Sequence, residues 1–322
     1  ALRASPPVSQ LSACNSREKE TDMGYHAVLG GSGAIGSATL KAIQAKGLDG
    51  KSLSRADANA MDADALVKVL DGVDVVYHCV GLPYNTDLWT TGFPAISNAL
   101  VTACGKVGAK IVYFDNVYLY GPAPLPIPFD EQTRRNPPSQ KGKARKSAVE
   151  IVMQAHRANR VEATVGRAAD FYGPGAINSP FYINFLENML QGRSPQVAMP
   201  EGPLHTYAYT LDMGRGLVEL AMDDGAYGDE FHLPVGPAVK VSDMAALFNE
   251  ALGTSLQVTH IPDIVLRGLS VFRPLIREVN EMSYQYKTDY IMSDEKFRQR
   301  FPKFASTSYE DGVTAMVDHF RQ

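Results

Sequence analysis

Cysteine is scarce. Cys14, Cys79 and Cys104 are the only three in 322 residues, too few for a disulfide framework and too scattered for a metal site. Cys79 ends an apolar strand-like run and Cys104 falls in a helical pattern. Both are expected as small buried hydrophobes, in a reducing compartment. No apolar run approaches the roughly 20 residues of a membrane helix. Neither sign of charge dominates: 31 Lys and Arg stand against 35 Asp and Glu, a net −4. Nucleic acid and anionic membranes are therefore not expected partners. Internal repeats and low-complexity stretches are also missing. The remainder, 45% hydrophobic and 20% charged, is ordinary for a globular chain long enough for one large domain or two unequal ones.

The most informative stretch is Ala27-Val28-Leu29-Gly30-Gly31-Ser32-Gly33-Ala34-Ile35-Gly36. An apolar strand runs into a glycine turn and then into a helix with Ile35, Leu40 and Ile43 on one side. Gly30, Gly33 and Gly36 have separate tasks. The first permits the sharp turn, the second lets a pyrophosphate approach the backbone, and the third lets helix and strand pack closely. The free N–H groups of the first helical turn, near Ala34 and Ile35, and the positive end of the helix dipole then face the anion. A strand before and a helix after are the context that turns a glycine pattern into a dinucleotide expectation.

Residues 1–22 carry no apolar periodicity and are expected to be a flexible leader outside the fold, leaving organelle targeting open for an otherwise cytoplasmic chain. The first helix is expected to stop at Gly47 and a second strand to run from Lys51 to Arg55. An acidic side chain at the end of that strand favours a free ribose 2′-hydroxyl, an arginine a 2′-phosphate. With Ser54 and Arg55 there, the expectation is NADP, with NAD open. Val75 to Gly81 is an almost unbroken apolar run, as in a central parallel strand. Its His78 is expected to be a satisfied strand-end histidine. A helix is expected from about Pro94 to Cys104, a buried strand from Lys110 to Phe114 leading to Asn116-Val117-Tyr118-Leu119-Tyr120-Gly121, a helix from about Lys141 to Asn159, and a strand from Glu162 to Arg167 before Tyr172-Gly173-Pro174-Gly175.

Alternating strands and helices predict a doubly wound parallel α/β sheet over residues 23–175. Ligands bind such sheets beyond the carboxyl ends of the strands. Gly30 to Gly36, Ser54-Arg55, Val80-Gly81, Asn116 to Tyr120 and Ala168 to Tyr172 all fall there. Residues 176–322 change texture, with a helical pattern from Phe181 to Leu190, helices opening near Asp212 and capped at Ser242-Asp243, and mixed short elements from Leu256 to Ile291. They are expected to form a smaller substrate lobe interleaved with the last sheet elements.

Gly30-Gly33-Gly36, the run Val75 to Gly81, Tyr120-Gly121 and Tyr172-Gly173-Pro174-Gly175, together with Asn98 and Asp212, resemble the extended short-chain dehydrogenases, the NAD(P)-dependent epimerase/dehydratase group. The resemblance implies a Rossmann-like fold from about Tyr25 to the C-terminus and allows a homodimer. It breaks where that family keeps a Tyr-x-x-x-Lys pair. Matching on the glycine puts Lys141 in the Tyr place and Arg145 in the Lys place. Matching on the later lysine and Glu150 puts Lys146 and Gly142 there. The first register is preferred, since Lys141 and Arg145 then share a helix face. Asn116 occupies the family's catalytic Ser or Thr place, and Asn59 its adenine-binding Asp place. The segment between Arg55 and Asn59 is short, so either the third strand is absent or the sequence lacks residues there.

Three candidates for acting on the substrate oxygen remain: Lys141, if burial and Arg145 depress its pKa, and Tyr118, as a phenol, each as a proton donor; and Asn116, through a hydrogen bond to a carbonyl or oxyanion. Three functions follow. The first is an NAD(P)H-dependent oxidoreductase that reduces a carbonyl or enone of a small apolar metabolite. The second is a redox-neutral isomerase, lyase or cyclase on the same fold. The third is a non-catalytic nucleotide sensor.

Overall fold

The computed structural model describes residues 24–197, 200–262, 278 and 281–321. The leader expected over 1–22 and much of the mixed region expected from Leu256 to Ile291 lie outside the described residues. In chain order the first elements are β1 (Tyr25–Leu29), α1 (Ala34–Ala45), β2 (Asp49–Leu53), α2 (Ala63–Val69), β3 (Val75–His78), α3 (Thr86–Val107), β4 (Lys110–Asn116), α4 (Gln140–Arg157) and β5 (Ala163–Ala168). There follow β6 (Phe171–Tyr172), α5 (Glu187–Met189), β7 (Gln196–Val197), β8 (Ala208–Tyr209), α6 (Thr210–Ala221), β9 (Glu230–His232), α7 (Val241–Leu252), β10 (Thr259–His260), α8 (Glu295–Arg300) and α9 (Tyr309–Arg321).

Six strands pair in parallel in the order β2-β1-β3-β4-β5-β9. Apolar side chains leave both faces of the central strands, so both faces need covers. On one face Val28, Tyr77 and Val112 pack with Ile35 and Ile43 of α1 and Met213 and Leu217 of α6. On the other, Ala27, Val76 and Ile111 pack with Leu66 of α2, Leu100 of α3 and Val149 and Val152 of α4. A third cluster joins Tyr172, Phe181, Phe185, Phe248, Tyr309 and Met316 in the C-terminal half. β9, from that half, completes the sheet at β5. Among the described residues no helix is long and apolar enough to cross a membrane.

The structure refines the local expectations at four points. Among the described residues β2 is the sheet edge, and the chain turns from it through Asp57 N to Ser54 O, 3.1 Å, toward α2. No strand forms between β2 and α2, as either alternative for the short segment requires. α3 starts at Thr86 rather than near Pro94, because Asn85 Oδ1 caps it through the Leu88 N–H at 2.8 Å. Pro94 then sits inside the helix, where its missing N–H removes one bond without ending it. α7 begins at Val241, and Asp243 accepts from the Lys240 N–H at 2.9 Å from inside the first turn rather than capping from outside. Residues 181–186 form a wide helical turn that leads into α5, within the helical pattern expected from Phe181 to Leu190. Cys104 is buried as expected, while Cys79 is half-buried with its thiol 3.8 Å from Thr39 Oγ1.

Candidate active site

The turn after β1 is built by close approach. Gly30 has φ +82°, a conformation that disfavours a side chain. A Cβ on Gly36 would lie 2.2 Å from the Gly30 carbonyl oxygen, and one on Gly30 would lie 2.7 Å from that of Cys79. These two glycines let the turn fold against α1 and the end of β3. Gly33 differs. It is exposed and its Cβ would meet only the Gly30 oxygen, at 3.4 Å. The first helical bond of α1 runs from the Ser37 N–H to the Gly33 oxygen, 2.8 Å. The N–H groups of Ala34, Ile35 and Gly36 therefore have no acceptor within the helix. No acidic side chain stands in the first turn of α1. An open glycine, unspent N–H groups and an unopposed helix dipole fit a diphosphate.

At the end of β2, Ser54 is joined by a residue that the sequence reading passed over. Asp57 turns back so that its Oδ2 accepts from the Ser54 N–H and the Ser54 hydroxyl, both at 2.8 Å. Those bonds hold the Asp57 carboxyl below its ordinary range. Arg55 is exposed beside it. Asn59 is exposed too, and its Oδ1 accepts from its own turn, from the Met61 N–H at 3.1 Å. Val80 is half-buried and Gly81 exposed just past β3.

His78 departs from expectation. It is fully buried, yet neither ring nitrogen has a hydrogen-bond partner. Its ring is stacked on Tyr113 at 4.2 Å instead. Burial, aided by the Arg145 charge, pushes its pKa down to about 3, so it is neutral at ordinary pH.

Beyond β4, Asn116 spends its Oδ1 on the Tyr118 N–H, 3.1 Å, closing a short turn over residues 117–119. This brings Tyr118 next to Trp89, ring centroids 6.2 Å apart. Desolvation, then the neighbouring Tyr84 and Asp170, raise the Tyr118 phenol well above its ordinary value.

Lys141 and Arg145 do share the inner face of α4, and both are buried. They do not serve one another. Lys141 Nζ meets the Thr86 hydroxyl at 2.8 Å, Glu281 at 2.6 Å, and Glu278. It also lies 4.7 Å from the centre of the Tyr84 ring. Arg145 donates to Asp115 at 2.8 Å and to the Phe114 oxygen at 3.0 Å, with its guanidinium 4.3 Å from the Phe93 ring. Asp115 is shared with Arg167, which continues to Glu230 and thence to Arg135. The Arg145 charge is thus met by a carboxylate.

The structure therefore joins Lys141, Tyr84, Trp89 and Tyr118 in one chain of contacts. It sets Arg145 into a separate buried ion network. Asp170, two residues past β5, was not singled out by the sequence reading. Tyr286 donates its hydroxyl to Asp170 Oδ2. Strand ends alone could have drawn attention to it, since Asn116 and Ala168 are register partners.

The model of the NAD dependent epimerase/dehydratase family matches residues 26–232. The chain belongs to that family. Its members are nicotinamide-dependent enzymes, and the parallel sheet with its glycine turn is their shared scaffold. No curated protein sequence matches this chain. Among solved structures, the UDP-glucuronic acid 4-epimerase from Bacillus cereus in complex with NAD is 17% identical, with a TM-score of 0.73 over 92% of this chain and 98% of that one. The dTDP-glucose 4,6-dehydratase DesIV from Streptomyces venezuelae, as a double mutant with NAD, is 18% identical, with a TM-score of 0.74 over 92% and 97%. The epimerase Mth375 of Methanothermobacter thermautotrophicus is 17% identical, with a TM-score of 0.78 over 92% of each chain. At these identities the likeness shows the shared fold alone.

Proposed function

We propose that this chain is a nicotinamide-dependent oxidoreductase that moves a hydride between the cofactor and a carbonyl or enone carbon of a small, largely apolar molecule. One observation carries the reading. The rings of Tyr84, Trp89 and Tyr118 touch in sequence beyond the carboxyl ends of β3 and β4, with Tyr284 and Tyr286 acting on Tyr118, at the end of the sheet where the glycine turn leaves β1. Such walls suit an apolar substrate with a few polar anchors.

The cofactor preference turns on Asp57. Arg55 speaks for a 2′-phosphate, but an ionised carboxylate fixed against Ser54 would repel one and would accept from a free 2′-hydroxyl. NAD is favoured on that ground, and the solved relatives named above are complexes with NAD in two cases. When bound, the nicotinamide supplies or takes the hydride. The chain's own work is to hold the diphosphate at Gly33 to Gly36, to receive the ribose at Asp57 and to anchor the substrate oxygen. Tyr118 is suited to the last task as a neutral hydrogen-bond donor. Among the described residues no cation pairs with its phenol oxygen, so it is a poor proton source.

A redox-neutral reaction is the second reading. The lost Tyr-x-x-x-Lys pair and the likeness to epimerases and dehydratases favour it. Oxidation of NADH measured with a panel of aldehydes, ketones and enones separates the two. Net loss of NADH with alcohol or saturated product supports the oxidoreductase; conversion without net NADH change supports the second reading.

A further inference from the structure

Tyr84, Tyr118, Asp170, Tyr284 and Tyr286 all keep some accessible surface. Yet desolvation is the largest influence on the ionisation of each. The Asp170 charge acts on each of the four tyrosines, so the five half-buried side chains cluster around one recess beyond the strand ends. Asp170 and Tyr118 reach it from adjacent strands, each two residues past a register pair, Ala168 with Asn116.

Resting on the hydride-transfer reading above, we propose that Asp170 is the catalytic acid, giving its proton to the substrate oxygen in place of the tyrosine that Lys141 replaces.

The charge environment singles it out. Buried Asp115 and Asp212 and partly buried Glu230 each have an arginine partner. Among the described residues Asp170 has no salt bridge. Its carboxyl receives the Tyr286 hydroxyl. The other titratable groups that act with it across the recess are neutral-prone: Tyr84 and Tyr118 from the ends of the loops after β3 and β4, His205 and Tyr207 ahead of β8, and Tyr284 and Tyr290 beyond residue 283. Desolvation raises the Asp170 pKa, against the Tyr286 bond and the His205 interaction, which lower it. A carboxyl in a confined site without a cation keeps its proton to higher pH.

Tyr118 faces the same recess but would leave a phenolate that Tyr84 and Asp170 both disfavour. Of the two acids, the carboxyl has the more accessible conjugate base. As the substrate carbonyl carbon receives the hydride, its π bond opens onto oxygen. The O–H bond of the Asp170 carboxyl breaks while a new O–H bond forms on the substrate. The carboxylate left behind accepts from Tyr286 until a solvent proton restores the acid. Overall, a carbonyl, reduced nicotinamide and one proton become an alcohol and oxidised nicotinamide.

The test uses the full chain, Asp170→Asn and Tyr286→Phe. Infrared difference spectra of wild type minus D170N are recorded across pH without substrate. A protonated-carboxyl band that persists well above the ordinary aspartate value of 3.8, and to still higher pH in Y286F, is expected. Only carboxylate bands at and above mildly acidic pH would overturn the proposal. NADH binding by fluorescence should be unchanged in D170N, while kcat/KM with nitrobenzaldehyde or cyclohexenone falls by roughly 10²-fold or more. Turnover by D170N equal to wild type would also overturn it. Wild-type protein that fails to bind NADH would defeat the hydride-transfer reading instead, with the infrared titration still deciding whether Asp170 holds a proton.

Discussion

Lys141 Nζ lies 2.6 Å from Glu281 Oε2, with the Lys141 side chain fully buried and that of Glu281 22% exposed. Thr86 and Glu278 complete the cluster. Lys141 is thereby tied to the start of α3 and to Glu278 and Glu281.

Lys141→Met should therefore act on stability first. Removing one partner of a buried pair leaves uncompensated charge and costs about 3 kcal/mol or more. Chemical denaturation should show a lower midpoint with an unchanged slope. Turnover per folded molecule should fall by far less than in a variant that removes the proton donor. Burial opposes ionisation of Glu278 and Glu281, but the bonds from Lys141 and Thr86 prevail and hold both below their ordinary value. Their contribution is present above the unfolded carboxyl value and is lost as pH falls through the folded one. The variant should accordingly lose most of that pH dependence.

The network Arg145–Asp115–Arg167–Glu230–Arg135 makes a second, independent prediction. Asp115→Asn leaves two arginines, both nearly or fully buried, without their shared carboxylate and should cost about 3–5 kcal/mol. A denaturation midpoint close to wild type would mean that water or another group replaces the carboxylate.

Acid should unfold the protein in two stages. Burial first, then nearby arginines, push His78 and His232 down to about 3. Both are depressed, so the stability they confer is full above the unfolded histidine value of 6.5 and declines as pH falls toward about 3. Glu230 is desolvated, yet Arg167 and Arg135 hold it at about 2, against an ordinary 4.5. Its contribution fades between those two values. Denaturation midpoints measured from neutral to acidic pH should drop first below the histidine value and again below the carboxylate value. A flat profile down to the carboxylate range would contradict the buried neutral histidines.

Sequence reasoning reached the parts of this site whose cause is local. The glycine turn, the buried runs of β3 and β4 and the inner face of α4 all follow from residue types within a few positions. What it missed depends on distant partners. Glu278 and Glu281 meet Lys141 across 137 and 140 residues, and no spacing rule connects them. Asp57 became visible only when its turn brought it back to Ser54. Asp170 stands in plain view at a strand end, but its lack of a cationic partner among the described residues is a property of the packed molecule. His78 shows the reverse, since a histidine ending an apolar strand suggested a satisfied one, whereas stacking on Tyr113 replaced hydrogen bonding.

Asp57→Asn offers a test of cofactor choice that leaves the fold alone. It removes the charge that opposes a 2′-phosphate and keeps an acceptor for Ser54. The ratio of NADP to NAD affinity should rise by roughly tenfold, which is a modest change for one contact at this position. An unchanged ratio would assign the choice to other residues.

The account depends most on a dinucleotide seated at Gly33. Calorimetric titration of the full chain with NADH, beside Gly33→Asp, tests it directly. Gly33 has an ordinary φ of −75° and an exposed position, so the variant should fold with wild-type thermal stability while placing a carboxylate against the diphosphate. The account predicts saturable binding at one site per chain that is lost in G33D. No binding of NADH or NADPH by wild type, or equal binding by the folded variant, would contradict it.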